Sequence, residues 1–185
     1  CVGASSTLTA LTTTISAGSA TIGAGATTSA TYSNPFYSAW SNTHTQHIVL
    51  ASELTAMGLK AGNITSVALD VTNAGTLPMI DLSVKIGTTA ATTMAAFVSN
   101  VGFQTVYTNA SLMPTVGVNT ITFSAPFNWD GTSNLVLEFC HGNSGSTATM
   151  SRTVKADITA YVSSIKAQVS AATSAATICG DTTTN

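Results

Sequence analysis

Ile64-Thr65-Ser66-Val67-Ala68-Leu69-Asp70-Val71-Thr72 alternates residue by residue. Thr65, Val67, Leu69 and Val71 fall on one side, and Ile64, Ser66, Ala68, Asp70 and Thr72 on the other. That is the two-residue period of a strand whose first side meets a core. Beyond a loop carrying Gly75 and Pro78, Leu82-Ser83-Val84-Lys85-Ile86-Gly87 repeats the pattern with Leu82, Val84 and Ile86 inward. The two stretches read as adjacent antiparallel strands. Shorter strands follow at Thr105–Tyr107 and Asn119–Phe123, and Leu135–Phe139 is an apolar one bounded by Asp130-Gly131 and Gly142-Asn143.

Toward the N-terminus, His47–Leu50 reads as a strand, and Ala51-Ser52-Glu53-Leu54 opens a helical turn with Ser52 as N-cap, ending at Gly58. Lys155–Ala176 carries two patterns. Ile158, Tyr161, Val162, Ile165 and Val169 have helical spacing, but the Thr, Val, Ile and Tyr content and the all-β surroundings favour strand, which is the reading adopted. The fold expected is therefore all-β: an antiparallel two-sheet β-sandwich, jelly-roll-like, with an extended N-terminal segment. Its core draws on Val67, Leu69, Val71, Leu82, Val84, Ile86, Ile121, Phe123, Leu135, Leu137 and Phe139. Residues 1–25, rich in Ser, Thr, Ala and Gly with spaced apolar residues, form a linker or donor strand, and 26–185 the sandwich module.

Only 6% of the 185 residues are charged, against roughly a quarter in an average soluble chain, and Thr, Ser, Ala and Asn take over the surface. With 44% hydrophobic residues the chain should nonetheless fold. Five cationic side chains and a net charge of -2 offer no basic stripe for phosphates, so nucleic acid is excluded as a partner. No apolar run reaches the length of a membrane span. A near-neutral hydroxyl-rich surface lacks the charge that suppresses association, so self-association or contact with neighbouring domains of the same precursor is expected.

Three cysteines, Cys1, Cys140 and Cys179, match no metal spacing. A Cys140–Cys179 disulfide would close a loop of about 40 residues, stabilising by roughly 4 kcal/mol in the chain-entropy model. Cys1 then pairs outside the chain, stays free, carries a modification or belongs with a preceding domain.

Catalytic machinery is not expected. Three histidines and seven scattered acids provide no convergent acid, base and nucleophile. His44 and His47 are three apart, on opposite faces of a strand, so no metal is predicted; His141 reads as a surface-loop residue and Asp130-Gly131 as a turn. No cofactor is predicted. Tyr32, Phe36, Tyr37 and Trp40, gathered around Asn34-Pro35, are the one aromatic cluster; they either cover a core edge or stack on surface glycans.

Several phrases in combination resemble a β-sandwich module of large proteins exported by Bacteroidota, particularly type IX secretion cargo. They are Ala20-Thr21-Ile22-Gly23, Ile48–Leu54, Gly62–Ala68, Gly117–Phe123, Pro126–Gly131 and Asn134–Glu138, covering about two thirds of the chain. The resemblance implies a non-catalytic extracellular or cell-surface module, structural or adhesive. It also implies O-glycosylation at Thr182 within Asp181-Thr182-Thr183. The family continues into a last core strand that is not found before Asn185. Either that strand lies beyond this sequence, or a neighbouring molecule supplies it by β-augmentation and builds a surface filament.

Overall fold

A computed structural model describes residues 18–29, 34–37, 40, 42–143 and 152–169. In chain order these form β1 (Thr27–Ser29), β2 (Asn42–Val49), α1 (Ala51–Ala56), β3 (Gly62–Asn73), β4 (Met79–Thr89), β5 (Gln104–Leu112), β6 (Gly117–Trp129), β7 (Asn134–Asn143), β8 (Thr153–Ala156) and β9 (Ser164–Val169). One sheet has the order β1-β8-β3-β6 and the other β5-β4-β7-β2-β9, with all pairs antiparallel. The inward sides of both supply one core: Val71, Ile121, Phe123 and Trp129 from the first sheet, and Leu82, Val84, Ile86, Val106, Leu135 and Phe139 from the second. Val67, Leu69 and Leu137 pack against it half-buried. Each fully buried side chain of this kind stabilises by about 1.5–3 kcal/mol through removal from water. The all-β two-sheet sandwich is thus the observed architecture.

Four local readings are corrected. β3 and β4 are not neighbours: β3 pairs with β6 and β8, while β4 pairs with β5 and β7. The residues linking them carry the chain from one sheet to the other. Buried Arg152 stabilises that passage, its guanidinium donating to the carbonyls of Ala74 and Leu77, where a crossing backbone would otherwise leave acceptors unmet. Burial holds this arginine down at about 10.

The alternation of β3 is also re-phased. A register shift between Ile64 and Ser66 lets both Ile64 and Val67 face the core and leaves Thr65 exposed, the signature of a β-bulge. The helix starts two residues earlier than Ser52 as N-cap would place it. Leu50 is the N-cap, and its N–H donates to the Glu53 carboxylate at 2.9 Å; Gly58, at φ 89°, follows the helix end. His141 lies within β7, not in a surface loop: the strand runs on through Gly142 and Asn143, paired with β2 and β4, and His141 is fully buried. The described part of the Lys155–Ala176 segment supplies the end of β8 and all of β9, with a non-helical connection at 157–163 in which Ile158 and Val162, at helical spacing, are 90% and 57% exposed.

Candidate functional site

The outward side of the five-stranded sheet holds a cluster of buried polar side chains. Register places Lys85 of β4, Glu138 of β7 and Gln46 of β2 directly opposite one another in a single row, and His44 lies one pair further along, opposite Cys140. All four project to the side away from Val84, Ile86 and Phe139, because strand neighbours alternate. Glu138, His44 and Gln46 are each about 1% exposed.

What covers them is the connection from β4 to β5, residues 90–103. Gln46 brackets one of its residues: Val98 N–H donates to Gln46 Oε1 at 2.7 Å, and Gln46 Nε2 donates to the Val98 carbonyl at 2.8 Å. The Phe97 ring stacks on His44 with centroids 4.5 Å apart. Asn100 reaches down to Glu138, its Nδ2 lying 3.1 Å from Oε1 and 3.3 Å from Oε2. Phe103 lies over Gly87, where a Cβ would meet its ring at 2.1 Å. Among the described residues a second segment joins this cover, since Met94 N–H donates to the Val162 carbonyl at 2.8 Å.

At the centre, Glu138 Oε2 lies 3.1 Å from His44 Nε2 and 2.7 Å from Gln46 Nε2, and Oε1 lies 3.4 Å from Lys85 Nζ. Burial alone pushes this carboxyl up. Hydrogen bonds from His44, Gln46 and Asn100 and the electrostatic attraction of His44 outweigh it and hold the group at about 2. The cluster therefore carries a buried carboxylate satisfied on both oxygens. The partners that satisfy it are the chain's own side chains.

His47 faces the other way, inward, with its ring edge-on to Phe139 at 5.8 Å and Nε2 3.1 Å from Thr45 Oγ1. Burial lowers it to about 4. His44 and His47 thus occupy opposite faces, and among the described residues no three His, Cys, Asp or Glu side chains converge on a metal position. Asp130 accepts from the N–H groups of Thr132 and Ser133 and from the Ser133 hydroxyl, closing the turn around Gly131 (φ 80°) and holding its carboxyl at about 2.

The aromatic cluster divides. Phe36 is fully buried and meets Phe139 edge-on at 6.4 Å, fixed by an Asn34 turn in which the Asn34 side chain accepts from Phe36 N–H and donates to the Arg152 carbonyl. A ring that stacks on a sugar must present a face to solvent, so Phe36 is core instead. Tyr37 is half-buried, with Lys166 Nζ 5.4 Å over its ring, and Trp40 is 41% exposed. Tyr32, Cys1, Cys179 and Thr182 lie outside the described residues. Cys140 is buried on the outward face and disulfide-bonded.

Sequence reasoning passed over the Glu138 cluster. The signal was present: Leu135-Val136-Leu137-Glu138-Phe139 is apolar on both faces, which marks a strand covered on both sides, and a carboxylate inside such a run requires partners. Comparison of the chain with family models, curated proteins and solved structures found no match.

Proposed function

We propose that this chain is a structural or adhesive extracellular module that associates with other copies or neighbouring domains through an open sheet edge. The observation that carries the reading is the edge of β3. On one side β3 pairs with β6 from Gly62 to Val71; on the other, among the described residues, it pairs with β8 only at Val71 and Asn73. Among the described residues, 62–70 thus have no strand partner on that side, and the inward residues beside it, Ile64, Val67 and Leu69, are only half-buried. Such an edge accepts an added strand. The sparse charge of the surface supports the same reading, since little repulsion opposes a second copy. The disulfide at Cys140 supports an oxidising, extracellular setting.

The donor in this reading is the N-terminal segment, residues 1–25, of a neighbouring copy. In its Thr7-Leu8-Thr9-Ala10 stretch Leu8 and Ala10 share one face, and in Thr14-Ile15-Ser16 the apolar residue is flanked by hydroxyls, the pattern of an inserted strand. A Cys140–Cys179 bridge would draw the C-terminal segment to the outward face of the other sheet, away from β3. Negative-stain microscopy and sedimentation of the native protein test this: ordered assemblies are expected, and they should vanish when residues 1–19 are deleted. Assembly that survives the deletion overturns the donor.

The exposure of Trp40 supports a second reading, a carbohydrate-binding module that stacks this ring on a sugar. Glycan-array binding lost in Trp40→Ala would favour it over self-assembly.

A further inference from the structure

Lys85 and Asn100 meet on one buried carboxylate oxygen, with Lys85 Nζ 3.4 Å and Asn100 Nδ2 3.1 Å from Glu138 Oε1. We propose that Lys85 and Asn100 become joined by an intramolecular amide bond, formed once in the folded chain with Glu138 as the proton carrier. Each participant is positioned by the surrounding fold. Lys85 is fixed by the ladder opposite Glu138. Asn100 is fixed by the Gln46 bracket on Val98 and by the turn in which Phe103 N–H donates to its carbonyl at 3.0 Å. The carboxylate is 1% exposed, the Lys85 side chain 24%.

An amine and a carboxamide do not condense in water on useful timescales. Gathering both groups on one carboxylate oxygen lets them approach within the folded chain, where a near-attack orientation supplies an effective concentration on the order of 10⁵ M or more, and a positioned proton carrier contributes a further factor of about 10²–10⁴. The bonds from His44, Gln46 and Asn100 hold Glu138 ionised, so it starts as the base. It takes one proton from the Lys85 ammonium. The Nζ lone pair attacks Asn100 Cγ, and Glu138 gives its proton to Nδ2 while accepting the second from the attacking nitrogen. The Cγ–Nδ2 bond breaks, and ammonia departs with that proton as ammonium, returning Glu138 to the carboxylate. One Cγ–Nζ bond replaces one Cγ–Nδ2 bond, and the positive charge of Lys85 leaves with the ammonium, so no oxidant or co-reactant is needed. The product ties β4 covalently to the loop that covers the outward face, a reinforcement suited to a module under load.

Intact mass of the folded, reduced full chain tests this directly. The expected mass is lower than the sequence mass by one ammonia, and a tryptic digest should yield the Lys85 and Asn100 peptides as one branched species. Asn100→Ala, at the rim of the cluster, and Glu138→Gln should both return the full sequence mass, with circular dichroism checking that each is folded. A folded wild-type chain that holds its full mass through prolonged incubation overturns the proposal. So does an ammonia loss that persists in Asn100→Ala or maps to another residue.

Discussion

Each sheet carries a lysine–carboxylate pair on its outward side, and the two pairs stand in opposite circumstances. On the four-stranded sheet, Lys155 Nζ meets Asp70 Oδ2 at 2.6 Å with side chains 50% and 33% exposed. On the five-stranded sheet, Lys85 meets Glu138 at 3.4 Å with 24% and 1% exposed, and the carboxylate holds three further partners. The shorter contact is the weaker one. Water solvates and screens the first pair, whereas the second is covered by a loop whose Asn100 side chain bonds to its carboxylate. Distance alone ranks them wrongly; burial and the number of dependent partners rank them correctly.

The largest effect that can break or sharpen this contrast is the loss of Glu138. Glu138→Ala leaves His44, Gln46 and Asn100 facing a cavity and Lys85 without its counter-charge, and it should cost about 3–5 kcal/mol, the penalty for stranding partners of a buried ion pair. Urea denaturation measures it. A cost under about 1 kcal/mol would place Glu138 in the same class as Asp70 and end the distinction.

Next in size is Gly87→Ala. The added methyl has no room beneath the Phe103 ring, so the loop must lift or β4 shift, at about 1–3 kcal/mol. A paired Gly87→Ala, Phe103→Ala variant should recover part of that loss, since the clash disappears with the ring.

Acid separates the buried groups by pH window. His47 has its value lowered from 6.5 to about 4, so its folded form prefers to be neutral. The stability this brings is fully present above 6.5 and falls as pH drops toward 4, because the unfolded chain binds the proton first, by about 1–2 kcal/mol given the ring's partial exposure. Glu138, lowered from 4.5 to about 2, contributes above 4.5 and loses its contribution as pH falls toward 2. Thermal midpoints across pH should therefore fall in two steps, and His47→Phe should remove only the upper one.

Most of the strands were legible because their alternation is local. Leu82, Val84 and Ile86 could be assigned inward from six residues of sequence, and the structure buries all three. Sheet membership was not legible. Nothing in residues 74–78 announces that β4 crosses to the other layer, and the acceptors that make the crossing tolerable are met by Arg152, far along the chain. The bulge at Ile64/Ser66 was hidden for a similar reason, since its inward pair forms only against Phe127 and Ile121 of β6. The Glu138 cluster joins β2, β4, β7 and the loop after β4, so no window of sequence contains it; a charged residue in a doubly apolar run was its single local trace. The helical spacing of Ile158 and Val162 was the converse case, a local pattern with no packing behind it.

The smallest effect returns to the exposed pair. Asp70→Asn and Lys155→Ala should each change stability by less than about 0.5 kcal/mol, and a double-mutant cycle should return a coupling of about 0.2–1 kcal/mol that shrinks as salt is raised. The same site tests the association proposed for β3, because Asp70 lies where the pairing with β8 ends among the described residues. An arriving strand would cover the Lys155–Asp70 pair and remove it from solvent. In an assembled sample the coupling should then exceed its monomer value and lose its salt dependence; an identical coupling in both states would mean that the added strand docks elsewhere.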